Sequence, residues 1–282
     1  MAQRKDRTRT LLIVGILLSL GVSLVTHFEI SKRREEAAKA AREHPAVRAR
    51  IALQEADSAS ANNDWQSARI ALLNALNALE DLRHLKPDSV KVLRNLVVAR
   101  RRIGDADQRL GRASRAKVQL DQALSLAQQI FVDDPTDSRA RMDRLVTTRE
   151  WGMLDIVTPS AAAEKLTRAA NAVTESLEIV PPTEPVSALL VQTWLDAART
   201  HLRAEQRAEA QVALREAITI SRSFGLSQND VQGAEARHYD VVSTASKIAE
   251  KIGHSGLERD LEQAGIESLQ KQIKFQPDEA AF

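Results

Sequence analysis

Residues 116–135 read AKVQLDQALSLAQQIFVDDP, and the spacing inside this stretch decides the fold. Ala116, Leu120 and Ala123 form the pattern A-x3-L-x2-A, which returns as Ala68/Leu72/Ala75, Ala162/Leu166/Ala169 and Ala210/Leu214/Ala217. Successive copies are offset by forty-eight, forty-six and forty-eight positions, and a weaker fifth copy, Leu257/Leu261/Ala264, follows at forty-seven. Pro87, Pro135 and Pro181 each stand twelve positions after the last alanine of the first three copies. One such pattern in an alanine-rich helix would mean nothing. Four in register, three with a proline at a fixed offset, mark an internal repeat.

A second series has the same period. Ala56, Gly104, Gly152, Ala198 and Ala245 are small residues at offsets of forty-eight, forty-eight, forty-six and forty-seven. Each unit therefore predicts a first helix with a small residue near its middle, a tight turn, and a second helix carrying A-x3-L-x2-A. Offsets of 3, 4 and 7 place the second-helix residues on one face. The small residues let the facing backbone approach, and proline ends the unit because it cannot continue a helix. First helices are expected at about 46–61, 88–109, 137–156, 184–203 and 229–251. Second helices are expected at about 64–84, 113–132, 160–179, 207–223 and 255–274.

Composition agrees. Only ten glycines stand among 282 residues, 43% of the chain is hydrophobic and 28% charged, which suits a helical globular body. Aromatics make up 3%, too few for a sheet core built on them. A formal charge of +2, with acids and bases interleaved, gives no nucleic-acid signature, and no cysteine is present for a disulfide or thiolate site.

These features resemble the tetratricopeptide (TPR) repeat family. In the second unit Gly104, Ala116, Leu120, Ala123 and Pro135 occupy that family's small, alanine, large apolar, alanine and proline positions, with Ile103 before the glycine. Gly111 matches the turn glycine, with Asn63 and Glu205 in its place in other units. The departure is length, since the usual unit has about 34 residues, and the first-helix aromatic position is mostly empty. The resemblance implies an all-α, right-handed solenoid of about five helix pairs over 46–276, in units 46–86, 87–134, 135–180, 181–227 and 228–276, with a tail at 277–282. It also implies a concave groove lined by first helices that holds a peptide.

The chain begins differently. Thr10 to Phe28 (TLLIVGILLSLGVSLVTHF) carries no fixed charge, and nineteen helical residues span roughly 28 Å, about a bilayer core. A transmembrane helix over 10–28 is expected, after a basic tail (1–9) and before a charged helical stalk (29–45). A buried core helix or a cleaved signal peptide is the alternative. Arg4, Lys5, Arg7 and Arg9 favour a cytoplasmic N-terminus, with the span in a bacterial inner membrane and the body in the periplasm. Lys32, Arg33 and Arg34 argue for the reverse.

No constellation for catalysis emerges. The histidines show no H-E-x-x-H spacing, and G-x-S-x-G, Walker-type and G-x-G-x-x-G loops are missing, so no enzyme, cofactor or metal is expected. The resemblance places Arg101, Asp105 and Gln108 toward the groove. Arg149 repeats Arg101 one unit later, and Arg94, Arg102, Arg141 and Arg144 add positive charge nearby. Arg94, Arg101, Asp105, Gln108, Arg149 and Asp196 are the candidate partner-binding residues. Two arginines at equivalent positions would sit about 10 Å apart and hold carboxylates of an acidic segment. The plainer alternative is a solvated arginine face paired with Asp143 and Glu150. Trp65, Trp151 and Trp194 are expected to pack the repeat. The expected function is a membrane-tethered scaffold or adaptor for a protein or peptide partner, in envelope assembly or chaperoning. Self-association into a homo-oligomer stays open. The alternative, from resemblance to the repeats of some bacterial Ser/Thr kinases, is a regulatory component without catalytic activity.

Overall fold

The computed structural model describes residues 44–225 and 231–253, together with 259, 261 and 263. Among the described residues there are nine helices: α1 (Pro45–Ala61), α2 (Trp65–Leu85), α3 (Val90–Arg109), α4 (Ala113–Asp133), α5 (Ser138–Gly152), α6 (Pro159–Ser176), α7 (Glu184–Arg203), α8 (Arg207–Gly225) and α9 (Val231–Ile252). Each helix packs antiparallel on the one before it. Along one side the first helices also touch one another, α3 with α5, α5 with α7 and α7 with α9, whereas successive second helices make no comparable contact. The first helices therefore form the inner layer and the second helices the outer one. The expected last second helix (255–274), three positions apart, and the tail (277–282) lie outside the described residues.

The repeat residues are the core. Ala68, Leu72 and Ala75, and their counterparts at 116, 120, 123, 162, 166, 169, 210, 214 and 217, are all buried, as is Leu261. The first-helix residues Ala56, Ala198 and Ala245 are fully buried. Gly104 shows why they are small: a Cβ there would stand 2.9 Å from Leu120 Cγ. Gly152 is looser, with the nearest Leu166 atom at 3.5 Å, an ordinary contact. Each buried leucine contributes about 1.5–3 kcal/mol against leaving it exposed.

The turns follow the same register. Asn63, Gly111, Glu205 and Gly253 hold the left-handed conformation, with φ of 57°, 71°, 61° and 72°. One unit after Gly111 stands Pro159, whose ring fixes φ at about −65° and forbids that turn. The third unit uses another connection. Helix α5 stops at Gly152 rather than at 156, and a loop leads to Thr158, whose hydroxyl accepts from Ala161 N before Pro159 opens α6. Helix α6 ends at Ser176 rather than 179. The buried Arg141 guanidinium donates to Ser176 O (2.7 Å), Val180 O (3.3 Å) and Pro135 O (2.8 Å), capping that helix end. Arg144 is buried over the Phe131 ring at 4.5 Å. Neither arginine charges a groove, which corrects the expectation for both.

The junction of the second and third units is clasped by Trp151. Its indole Nε1 donates to Asp121 Oδ1 (2.7 Å), Lys117 Nζ lies 2.7 Å from Asp121 Oδ2, and Lys165 Nζ sits 3.7 Å from the ring centre. Trp194 is 1% exposed and Trp65 stacks under Arg109, so all three tryptophans pack.

No helix among the described residues is long and apolar enough to cross a membrane, because each sets a charged face against its buried one. The expected span (10–28), the basic tail before it and nearly all of the stalk lie outside the described residues. The described residues form an all-α helical-repeat solenoid with no transmembrane helix among them. This corrects the expected fold class and, with it, the single-pass inner-membrane location.

Gly104→Ala should lower stability by about 1–3 kcal/mol through overpacking on Leu120, whereas Gly152→Ala should cost nothing or stabilise slightly, as read by urea unfolding. For Asp121, burial is the largest influence and raises the carboxyl pKa, but Lys117, Trp151 and Lys165 together outweigh it and leave the value lowered. A lowered carboxyl stabilises the fold above its unfolded value of about 3.9, and that contribution is lost as pH falls through the folded value. Melting temperature should therefore fall below about pH 3.9, and Asp121→Asn should flatten that fall while lowering stability at neutral pH.

Candidate functional site

The inner surface is laid out by α3, α5 and α7, and its charges obey one rule. Three residues before the small position of a first helix stands an arginine (Arg101 before Gly104, Arg149 before Gly152). Two residues before the small position of the next first helix stands a carboxylate (Glu150 before Gly152, Asp196 before Ala198). Stacking the helices brings them together. Arg101 grips Glu150 with two bonds, Nε to Oε2 at 2.7 Å and Nη2 to Oε1 at 2.5 Å, the planar fork that guanidinium offers a carboxylate. Arg149 Nε meets Asp196 Oδ2 at 2.7 Å.

Further pairs flank these rungs. Arg102 reaches back to Asp57 of α1. Arg94 donates to Asp137 Oδ2 at 2.5 Å, and its Nε lies 3.8 Å from Asp143 Oδ2. Asp137 also caps α5, accepting from Arg139 N and Ala140 N. Burial is the strongest influence on the Asp137 carboxyl and raises its pKa, yet Arg94 and these amides pull the net value down. Asp143 goes the other way: burial pushes its carboxyl up, against Arg94, Arg101 and Arg139.

The structure thus places the six candidate residues as follows. Arg94, Arg101, Arg149 and Asp196 stand together on the inner face, half-buried in pairs between units. Their partners belong to the chain itself, so the two equivalent arginines are already occupied rather than open to an acidic segment. Asp105 is exposed and accepts from Arg109 one turn on, at 3.0 Å. Gln108 is exposed near the turn, outside the paired row. His201 is buried as packing, with Nε2 against Thr167 Oγ1 and Nδ1 against Gln206 Oε1. Among the described residues no group of three or more metal-ligating side chains comes together.

One group escaped the sequence reading. Arg199 and Arg203 on α7 and Lys247 and Lys251 on α9 lie beyond the last rung, exposed. Two cation pairs at i,i+4, set one unit apart, were the available signal.

No protein-family model and no curated relative matches the sequence. Solved structures do resemble the fold. BtubC (BKLC) from P. vanneervenii superposes with a TM-score of 0.53 at 15% identity, covering 89% of this chain and 90% of that one. A Podosopora anserina protein assigned as a kinesin light chain, with nearly identical TPR-like repeats, gives 0.50 at 14% identity, covering 84% and 99%. At such identities the likeness is one of fold. The chain is a TPR-like helical-repeat solenoid.

If the rungs join units, reversing one should be tolerated and breaking one should not. Arg101→Glu alone, facing Glu150, should destabilise; Arg101→Glu with Glu150→Arg should recover most of the loss. A double-mutant cycle on urea midpoints should give a coupling of about 1 kcal/mol, the upper end for partly exposed pairs.

Proposed function

We propose that this chain is a protein-interaction scaffold, without catalytic activity of its own, that holds a protein or peptide partner along the inner surface of the solenoid. The observation that carries this reading is the continuous inner stack: first helices touch from α3 through α9, while the described second helices make no comparable contact with one another. Such a stack presents one long surface on which Arg94, Arg101 and Arg149 are already fixed by their partners. A surface fixed before binding loses little side-chain freedom when a partner docks. Exposed side chains along it, such as Asp105 one turn from Arg101 and Gln192 one turn from Asp196, are placed to contact that partner.

Photo-reactive residues at 105 and 192 test this, with Val118 as the outer-layer control, exposed on α4. A discrete partner crosslinked from 105 and 192 but not from 118 is the expected result. Crosslinks from 118 alone would move the interaction to the outer layer and overturn the reading.

A further inference from the structure

The paired pattern stops at α7. Where α3 and α5 carry Arg101 and Arg149, α7 and α9 carry Leu195 and Val242; where α5 and α7 carry their carboxylates, α9 has Ser243. From one turn beyond Leu195, starting at Arg199, the α7–α9 step holds an open cleft of about 1080 Å³. Among the described residues its rim carries Arg199, Arg203, Arg207, Lys247 and Lys251 against one carboxylate, Glu205.

These cations are poorly neutralised. Arg199 Nη1 reaches Asp196 Oδ1 at 3.2 Å, but that carboxylate is already held by Arg149. Arg203 Nη2 donates to the Thr200 hydroxyl, at 3.4 Å, and to no carboxylate among the described residues. Nor do Arg207, Lys247 and Lys251 form an ion pair among the described residues. Like charges at i,i+4 on two touching helices oppose folding, and the rest of the inner face avoids that arrangement by pairing.

We infer that this cleft is a docking site for an acidic polypeptide segment, one that interleaves Asp or Glu with aliphatic side chains. This rests on the inner surface being a protein-binding one. Charge selects the class: among the described residues, five cations and one acid attract a polyanion. The floor selects within it. Leu202 and the buried Ile248 offer aliphatic contact between the cations, and no aromatic ring among the described residues lines the cleft to stack a nucleic-acid base.

The test uses the full chain and fluorescence anisotropy with a labelled Glu/Leu decapeptide, the same peptide with Gln for Glu, and an oligothymidine. The Glu/Leu peptide should bind, more weakly as salt rises, and the Gln peptide should not. Lys247→Glu with Lys251→Glu should weaken binding more than tenfold, and the milder Lys247→Gln with Lys251→Gln by a smaller factor in the same direction. Lys91→Glu with Arg115→Glu, exposed residues far along the chain, carries the same charge change and should bind as the unaltered chain does. Binding by both lysine variants equal to that of the unaltered chain, no binding of the Glu/Leu peptide, or binding of oligothymidine in its place would overturn the assignment. Failure here with crosslinks intact at 105 and 192 removes only the cleft's role. Peptide binding at the cleft with those crosslinks lost removes the wider inner-surface reading instead.

Discussion

The solenoid depends on close approach between the two helices of each unit. A residue with no side chain beyond Cβ stands in the C-terminal third of each first helix, at 56, 104, 152, 198 and 245, and the leucines of A-x3-L-x2-A face it where Leu120 meets Gly104 and Leu166 meets Gly152. Gly104 against Leu120 is the tightest case, where even a methyl group would collide. Interiors of this density transmit a one-carbon change directly into backbone displacement. Because the apolar repeat residues pack each unit from within, the inner edges of the first helices are free to carry charge. Arginine and carboxylate one unit apart then join the units.

That division of labour gives each interaction its own scale. The leucines are buried and each contributes on the order of kilocalories; the rungs are half-exposed, screened by salt, and set register more than stability. The third unit departs from the plan through a single residue. Pro159 occupies the turn position, so α5 and α6 are short, and the buried Arg141 closes the end of α6 in compensation. A buried arginine satisfied by three carbonyls is a helix cap, not a recognition device.

Much of this was legible in the sequence because the repeat is periodic. The period placed the described helices to within a few residues, and Gly111, Asn63 and Glu205 marked the left-handed turns. The third turn was misplaced because only the equivalence of Pro159 with Gly111 reveals it. The arginine row was visible, but not its state: Arg101 meets Glu150 in a contact that exists only once α3 and α5 are stacked. The apolar run at 10–28 gave a strong local signal about residues beyond those described, and a local signal carries no tertiary context. The cleft at α7–α9 was missed because its cations come from two helices forty-eight positions apart, which only the stacking of α7 on α9 brings together.

Units packed by small-residue contacts are joined by charge rungs, and native-state hydrogen exchange of a variant with Arg149→Leu and Asp196→Leu tests that joining. Removing both partners leaves no buried orphan charge at the rung, since Arg199, which also reaches Asp196, is about half exposed to water. Helices α7 and α8 should still exchange together in this variant. The chain from α7 onward should open separately from α1–α6, at a free energy lower by about 1 kcal/mol. Exchange unchanged from the unaltered chain would contradict this, because the rung would then join nothing.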